Sequence, residues 1–328
     1  MKKTTLLSIL GVAVQLTIGI VAEAQQPTKI PRIGYLSANS PSTSPARIKA
    51  FLQGLRELGY VEGKSIVFEW RFGEGKADRL PALAAELVRL KVDVIVTTAS
   101  QETRAAKEAT NTIPIVMTND NDPVATGFVA SLARPGGNIT GLSTLAPELS
   151  GKRLELLKEI VPTLSRVAVL GSSTSPGQPQ TLKEIELAAG ALGLKLQYFD
   201  VLNSKDIEPA FRAASKGRAD AVLLLSSSVL TSQRIQVIEL ALKSGLPASY
   251  ARPEFVEAGG LMTYSPSTTD LYRRAATYVD KILKGRTPAD LPVEQPIKFE
   301  FIINLKAAKQ IGLTIPPNVL VRADKVIK

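Results

Sequence analysis

Short apolar runs alternate with amphipathic segments along most of the chain. The run Val92–Thr98 is nearly continuous in β-branched residues, which is typical of a strand buried on both faces. The segment Ala46–Leu58 repeats apolar residues every three or four positions and predicts a helix with one buried face. This alternation predicts parallel sheets with helices on both sides.

The same patterns predict the remaining regular elements. Further strands are predicted at Arg32–Ser37, Lys64–Arg71, Asn138–Ser143, Arg166–Gly171, Lys195–Val201, Asp220–Ser226, Leu246–Tyr250, Gly260–Tyr264 and Ile297–Asn304. Further helices are predicted at Leu80–Leu90, Glu148–Ile160, Gln180–Leu192, Ile207–Lys216, Ser232–Ser244, Thr268–Leu283 and Leu305–Ile311.

Residues 30–143 and 166–264 follow one plan. Each begins with a strand that runs into a loop rich in Ser and Pro. Further on, "VDVIVTTASQETRAAKEA" resembles "ADAVLLLSSSVLTSQRIQVIELA": an apolar strand, small hydroxyl residues and then a helical pattern. The repeat predicts two similar α/β lobes with a cleft between them. Ligands of open parallel sheets bind at the carboxyl ends of the strands, where these hydroxyl residues lie.

The N-terminus has the pattern of an export signal. Lys2 and Lys3 precede the apolar run Leu6–Val14, and Ala22-Glu23-Ala24 fits a cleavage site. We therefore predict a signal peptide at residues 1–24, a mature chain from Gln25, and a periplasmic or other extracytoplasmic location. The alternative is an uncleaved anchor, although polar residues dilute the stretch below a good membrane-spanning helix.

Composition narrows the classes of function. The chain has 0 Cys and 0 His, which removes the usual general base and nucleophile pairs as well as the common metal ligands. A net charge of +10 could serve a nucleic acid, but the basic residues are scattered and no DNA-binding motif appears. We expect no enzymatic activity, cofactor, metal or nucleic-acid partner. A hydrolase that uses a pair of carboxylates remains a weaker alternative.

Four candidate ligand-binding residues follow strands of the first half. Thr98 and Ser100 lie where a central strand meets a helix, whose N-terminal N–H groups favour an anion. Asn119 and Asp122 follow the next strand. Two of them have a structural alternative: Ser100 could cap the helix, and Asp122 could fix the turn before Pro123.

Four further candidates complete the predicted site. Ser227 ends the corresponding strand of the second half, and Tyr250 and Arg252 follow the next strand. Arg252 could hold a carboxylate through two hydrogen bonds or be an ordinary surface residue. Tyr35 could stack on a flat ligand or belong to the core.

Several stretches carry a resemblance to a known family. They are "FLQGLRELGYVEGK" from Phe51, "IPIV" from Ile113, "DPVATG" from Asp122, "PGGNITG" from Pro135, "LELLK" from Leu154, "ILKG" from Ile282, "NLKAA" from Asn304 and "GLTIP" from Gly312. In these stretches the chain resembles the substrate-binding proteins of ABC transporters, and more narrowly their tryptophan/tyrosine-type family.

The resemblance implies an α/β fold of the type I periplasmic-binding-protein kind. Two similar doubly wound lobes with parallel sheets would be joined by a hinge that the chain crosses three times, near Ser143, Ser265 and Pro296. Lobe 1 would comprise residues 28–143 plus 265–295, and lobe 2 residues 144–264 plus 296–328.

The resemblance also implies a function and its partners. The protein would be an exported monomer that captures an amino acid or another small carboxylate and delivers it to an ABC permease, its one contact with the membrane. The alternative is a ligand-sensing input for a membrane receptor. The family often has an acidic residue near the strand end where this chain has Ser226–Ser228, a departure that bears on amino-acid recognition.

Overall fold

The computed structural model describes residues 30–328 of the chain. The strands are β1 (Arg32–Ser37), β2 (Val67–Phe72), β3 (Val94–Thr97), β4 (Ile115–Asp120), β5 (Ile139–Ser143), β6 (Arg166–Gly171), β7 (Lys195–Asp200), β8 (Ala221–Leu224), β9 (Ala248–Tyr250), β10 (Met262–Pro266), β11 (Phe299–Asn304) and β12 (Lys325–Ile327). The predicted signal peptide, residues 1–24, lies outside the described residues.

Helices alternate with the strands. They are α1 (Pro45–Glu57), α2 (Leu80–Arg89), α3 (Ser100–Ala109), α4 (Ala146–Ile160), α5 (Gln178–Ala191), α6 (Ile207–Lys216), α7 (Ser228–Ser232), α8 (Arg234–Lys243), α9 (Pro253–Glu257), α10 (Thr268–Leu283), α11 (Leu305–Gln310) and α12 (Pro317–Leu320). Within residues 30–328, no helix is long and apolar enough to cross a bilayer.

The strands form two sheets, one in each lobe. The first sheet has the order β2-β1-β3-β4-β5, and all its pairs are parallel. The second has the order β12-β11-β10-β9-β8-β6-β7. Buried apolar side chains cover both faces of each sheet. The predicted α/β class with two doubly wound lobes is confirmed.

One strand pair departs from the predicted parallel sheets. β11 runs antiparallel to β10, with Met262 opposite Ile303 and Pro266 opposite Phe299. β10 ends at the hinge, and the chain re-enters this lobe from the hinge to begin β11. The new strand therefore has to run back along its neighbour.

Helix α10 packs on the first lobe although it follows the second lobe in sequence. Its apolar stripe shares one core with strand β1 and helix α1, including Leu271, Ala275 and Val279. The chain passes between the lobes after β5, after β10 and again before β11. At the third passage, Glu294 exchanges backbone hydrogen bonds with β5, and Ser267 donates to the carbonyl of Lys298. The lobe limits drawn from the sequence stay a prediction.

Candidate functional site

The carboxyl ends of the parallel strands in both lobes face one cleft. Three adjoining cavities lie there, each lined by residues of both lobes. Their free volumes are about 30, 20 and 20 Å³, enough for one or two water molecules each. A ligand as large as an amino acid could therefore enter only after the lobes move apart.

Thr98, Ser100 and Asn119 are buried and line these cavities from the first lobe. The Thr98 hydroxyl donates to Glu102 Oε1 at 2.8 Å, and the Ser100 hydroxyl accepts from the Asn121 N–H at 3.1 Å. Ser100 is the first residue of α3 rather than its cap, which is Ala99. These hydroxyls therefore also position cleft residues.

Asp122 and Tyr250 do not line the three cavities. The Asp122 carboxylate accepts from the Ala125 N–H at 3.0 Å, which is the turn role considered for it. The Tyr250 ring packs on Phe255, with centroids 4.9 Å apart, inside the core of the second lobe. Burial raises the pKa of its hydroxyl above the usual range.

Tyr35 and Ser227 line the cleft but also have structural roles. Tyr35 packs against Trp70 at 4.9 Å between ring centroids, and burial raises its pKa well above the usual value. The Ser227 hydroxyl accepts from the Leu230 N–H and so caps α7. Contact of either residue with a ligand stays a prediction.

Arg252 borders all three cavities. Its exposed fraction is 7%, so it is not the surface residue that the alternative interpretation supposed. One Nη donates to the Ser226 hydroxyl at 3.2 Å, whereas Nε and the other Nη have no partner. Burial, together with the charge of Arg47, lowers the Arg252 pKa to about 10. It still carries its charge at neutral pH.

An ion pair between the lobes was not predicted. Arg47 of α1 pairs with Glu254 of α9, and both side chains are largely buried. Burial alone would raise the pKa of Glu254, but the adjacent Arg47 outweighs it and holds the pKa near 2. The Arg47 guanidinium also lies 5.9 Å from the centre of the Tyr272 ring. This pair joins the lobes in the arrangement described here.

Arg153 of α4 is a second missed cleft residue. Its side chain is buried and lines the same cavity as Arg252. It donates to the Ser150 hydroxyl at 2.7 Å, while its Nε has no partner. Burial and the charge of Arg252 lower its pKa to about 10. Arg47 and Arg153 share a sequence pattern that could have revealed them: each lies four residues from an apolar residue on the buried stripe of its helix.

One buried acid, Glu102, lines the cleft, and a second, Asp120, lies at the end of β4 outside the three cavities. Glu102 accepts at Oε1 from the Ala38 N–H and from the Thr98 hydroxyl, each at 2.8 Å. Neither oxygen of Asp120 has a hydrogen-bond partner of good geometry. Burial raises the Asp120 pKa to about 7, and the nearby Ser100 and Thr103 hydroxyls offset this only in part.

The arrangement suits binding of a small molecule. Its polar groups converge from both lobes on one space, with tyrosine rings at its side. Within residues 30–328, no cluster of three acidic side chains could hold a metal ion. The cleft presents hydrogen-bond donors together with the charged groups of Arg153, Arg252 and Glu102.

Comparisons with known proteins agree with this description. A family model for ABC transporter substrate binding proteins matches residues 39–327. The chain is similar to the tyrosine-binding protein of Clostridioides difficile, with 25% identity over 273 residues, 83% of this chain and 78% of that protein.

Two solved structures are also similar to this chain over most of its length. A conserved domain protein from Vibrio cholerae is 30% identical with a TM-score of 0.86, and the match covers 91% of this chain and 100% of that one. An ABC domain from Streptococcus pneumoniae in complex with L-Trp is 27% identical with a TM-score of 0.84, covering 90% and 99%.

Proposed function

Because the chain belongs to the family of ABC transporter substrate-binding proteins, we propose that it captures an amino acid or another small carboxylate in the interlobe cleft and delivers it to an ABC permease. The observation that carries this proposal is the position of the Arg252 side chain. Its buried guanidinium borders all three cavities and keeps N–H donors without partners. Guanidinium groups bind carboxylates through paired hydrogen bonds.

The proposed mechanism is closure about the hinge. The lobes part, the ligand binds to one of them, and the other lobe then closes over it. Polar residues of the first lobe, such as Asn119 and Thr144, face Ser226 and Arg252 of the second across the same cavity. The closed form is the one that docks on the permease. Proteins of this family act outside the cytoplasm.

Export, cleavage and solution state are part of the proposal. The protein is a monomer without enzymatic activity or a nucleic-acid partner, and its signal peptide is cleaved between Ala24 and Gln25. N-terminal sequencing of the exported protein should begin at Gln25. A protein that keeps Met1 in the membrane would exclude cleavage.

Binding is tested by calorimetric titration of the mature protein after a thermal-shift screen of amino acids, organic acids, sugars and nucleosides. Thr98→Ala and Ser100→Ala should each weaken binding by ~1–3 kcal/mol, because each removes a polar group at the cleft and frees the neighbour it positions. The control is Ser215→Ala on an exposed position of α6, which should bind as the wild type does. Unchanged affinity in both cleft variants would remove this strand end from the site.

A further inference from the structure

Two buried arginines share one cavity without an acidic partner. Arg153 and Arg252 have exposed fractions of 3% and 7%, and neither forms an ion pair with any residue of the described chain. Each has one hydrogen bond, to a serine hydroxyl. Three of their donor atoms have no partner, namely Nε of Arg153 and Nε and Nη1 of Arg252.

The nearby acids compensate these charges only in part, through Glu254 and Glu102 beside Arg252. No Asp or Glu lines the cavity that the two arginines share. Glu254 is paired with Arg47, and Glu102 accepts two hydrogen bonds from its own lobe at Oε1. Asp120 is not among the residues lining any of the three cavities.

Two buried cations with unpartnered donors are costly unless an anion joins them. An isolated buried charge is strongly unfavourable, and like charges add repulsion. One carboxylate can accept from both guanidinium groups at once, because each offers a planar fork of donors. An ammonium group bound next to them would meet the same repulsion, and the cavity that the two arginines share offers it no acid.

We propose that Arg153, Arg252 and Ser226 form the subsite for the ligand's acid group, and that the ligand is a small carboxylic acid of net negative charge without an ammonium group. This inference rests on the proposed function and narrows it. All three residues belong to the second lobe, so the ligand docks there first. The first lobe then closes over the rest of the molecule.

Matched pairs of compounds test the charge of the ligand on the unmodified mature protein. Each pair shares a skeleton and differs in the ammonium group: L-tyrosine and hydroxyphenylpropanoate, L-tryptophan and indolepropanoate, L-glutamate and glutarate. Calorimetric titration should show the acid of the fitting skeleton binding about tenfold or more tightly than its amino acid, since burying an unpaired ammonium is unfavourable.

Arg153→Gln and Arg252→Gln test the subsite itself. Each should weaken binding of the acid by about 30-fold or more, as expected when one partner of a buried charge pair is removed. The ligand-free variants should also unfold at a higher temperature than the wild type, because the repulsion between the arginines is gone. Arg212→Gln, at an exposed arginine of α6, is the control and should change neither quantity.

The outcomes separate this inference from the proposed function. If an amino acid binds as tightly as its deaminated partner, or if sugars or nucleosides alone bind, the inference is overturned while solute binding stands. The inference also fails if both arginine variants keep wild-type affinity for the acid. If the folded protein binds no compound of the full screen, the proposed function fails and the inference with it.

Discussion

Asp120 gives a prediction for a single residue. Its carboxyl group is buried at the end of β4, and burial raises its pKa to about 7, whereas an unfolded chain titrates near 3.9. A raised pKa contributes stability below the unfolded value, which is lost as the pH rises through the folded value. The neighbouring groups that act on it are the Ser100 and Thr103 hydroxyls, Glu102 and the Asp122 backbone.

We therefore expect Asp120→Asn to be more stable relative to the wild type at pH 8 than at pH 5. The difference between the two pH values should be about 1–4 kcal/mol in the free energy of unfolding, measured by urea titration. Asp290→Asn, which removes an exposed carboxylate, should leave the wild-type pH dependence in place. Parallel stability curves for Asp120→Asn and the wild type would contradict the prediction.

The rule that ligands bind at the carboxyl ends of parallel strands found part of the site from sequence. It placed Thr98, Ser100 and Asn119 at the cleft, and all three line its cavities. It treated Tyr250 and Arg252 alike because both come at or after the predicted strand end, although Tyr250 ends β9 inside the core and Arg252 precedes α9 at the cleft. Their contact with a ligand stays a prediction.

The rule also missed Arg47 and Arg153, because both are on helices. A charged residue in an amphipathic helix is ordinarily assigned to the solvent side. Here the buried stripe of each helix extends beyond the core into the cleft, so a charge on that stripe reaches the binding space.

At the scale of elements, the packing of α10 on α1 depends on a missing side chain. A Cβ at Gly54 would lie 2.5 Å from the Arg273 carbonyl oxygen and 2.9 Å from the Ala276 Cβ. Gly190 of α5 is also helical but has nothing within 4 Å of the same position. The two glycines therefore form a matched pair.

Gly54→Ala should destabilise the protein by about 1–3 kcal/mol, because the two helices must separate. Gly190→Ala should stabilise it by roughly 0.5–1 kcal/mol through helix propensity alone. Urea unfolding of both variants measures the contrast. If both changes stabilise the protein, the close contact between α1 and α10 is not present in solution.

Long periodic elements were predictable and short ones were not. Helix Thr268–Leu283 has the bounds that its apolar period predicts. The predicted helix Ser232–Ser244 corresponds to α8, Arg234–Lys243, whereas the short helix α7, Ser228–Ser232, just before it was not predicted. The short elements α9, α12 and β12 have too few residues to show a period. The direction of β11 follows from the hinge, which local sequence does not encode.

At the scale of the molecule, the repeat predicted two lobes and a cleft, and the family resemblance is confirmed by the match over residues 39–327. How far the lobes close could not be predicted. Contacts between the lobes, such as the pair of Arg47 and Glu254, join residues that are 207 positions apart in the chain.

That pair yields a prediction about closure. In the closed arrangement both charges are buried and paired, whereas in an open form each can reach water. Glu254→Gln leaves Arg47 buried without an acid, so the closed form should lose population in the ligand-free protein. Arg47→Gln should have the same effect, and the double variant should recover part of the loss because neither charge is left alone.

The distance between the lobes is a direct measure of how far the closed form is populated. The chain has no native Cys, so probes can be attached at Glu108→Cys on the first lobe and Lys183→Cys on the second. Closure is measured rather than affinity, because removing Glu254 also makes the nearby Arg252 more attractive to an anion.

Glu57→Gln is the control, because it breaks an exposed ion pair with Arg273 inside the first lobe and should leave the distance between the lobes unchanged. If the two single variants open the lobes by amounts that simply add in the double variant, Arg47 and Glu254 act independently. The ion pair would then not be what holds the lobes together.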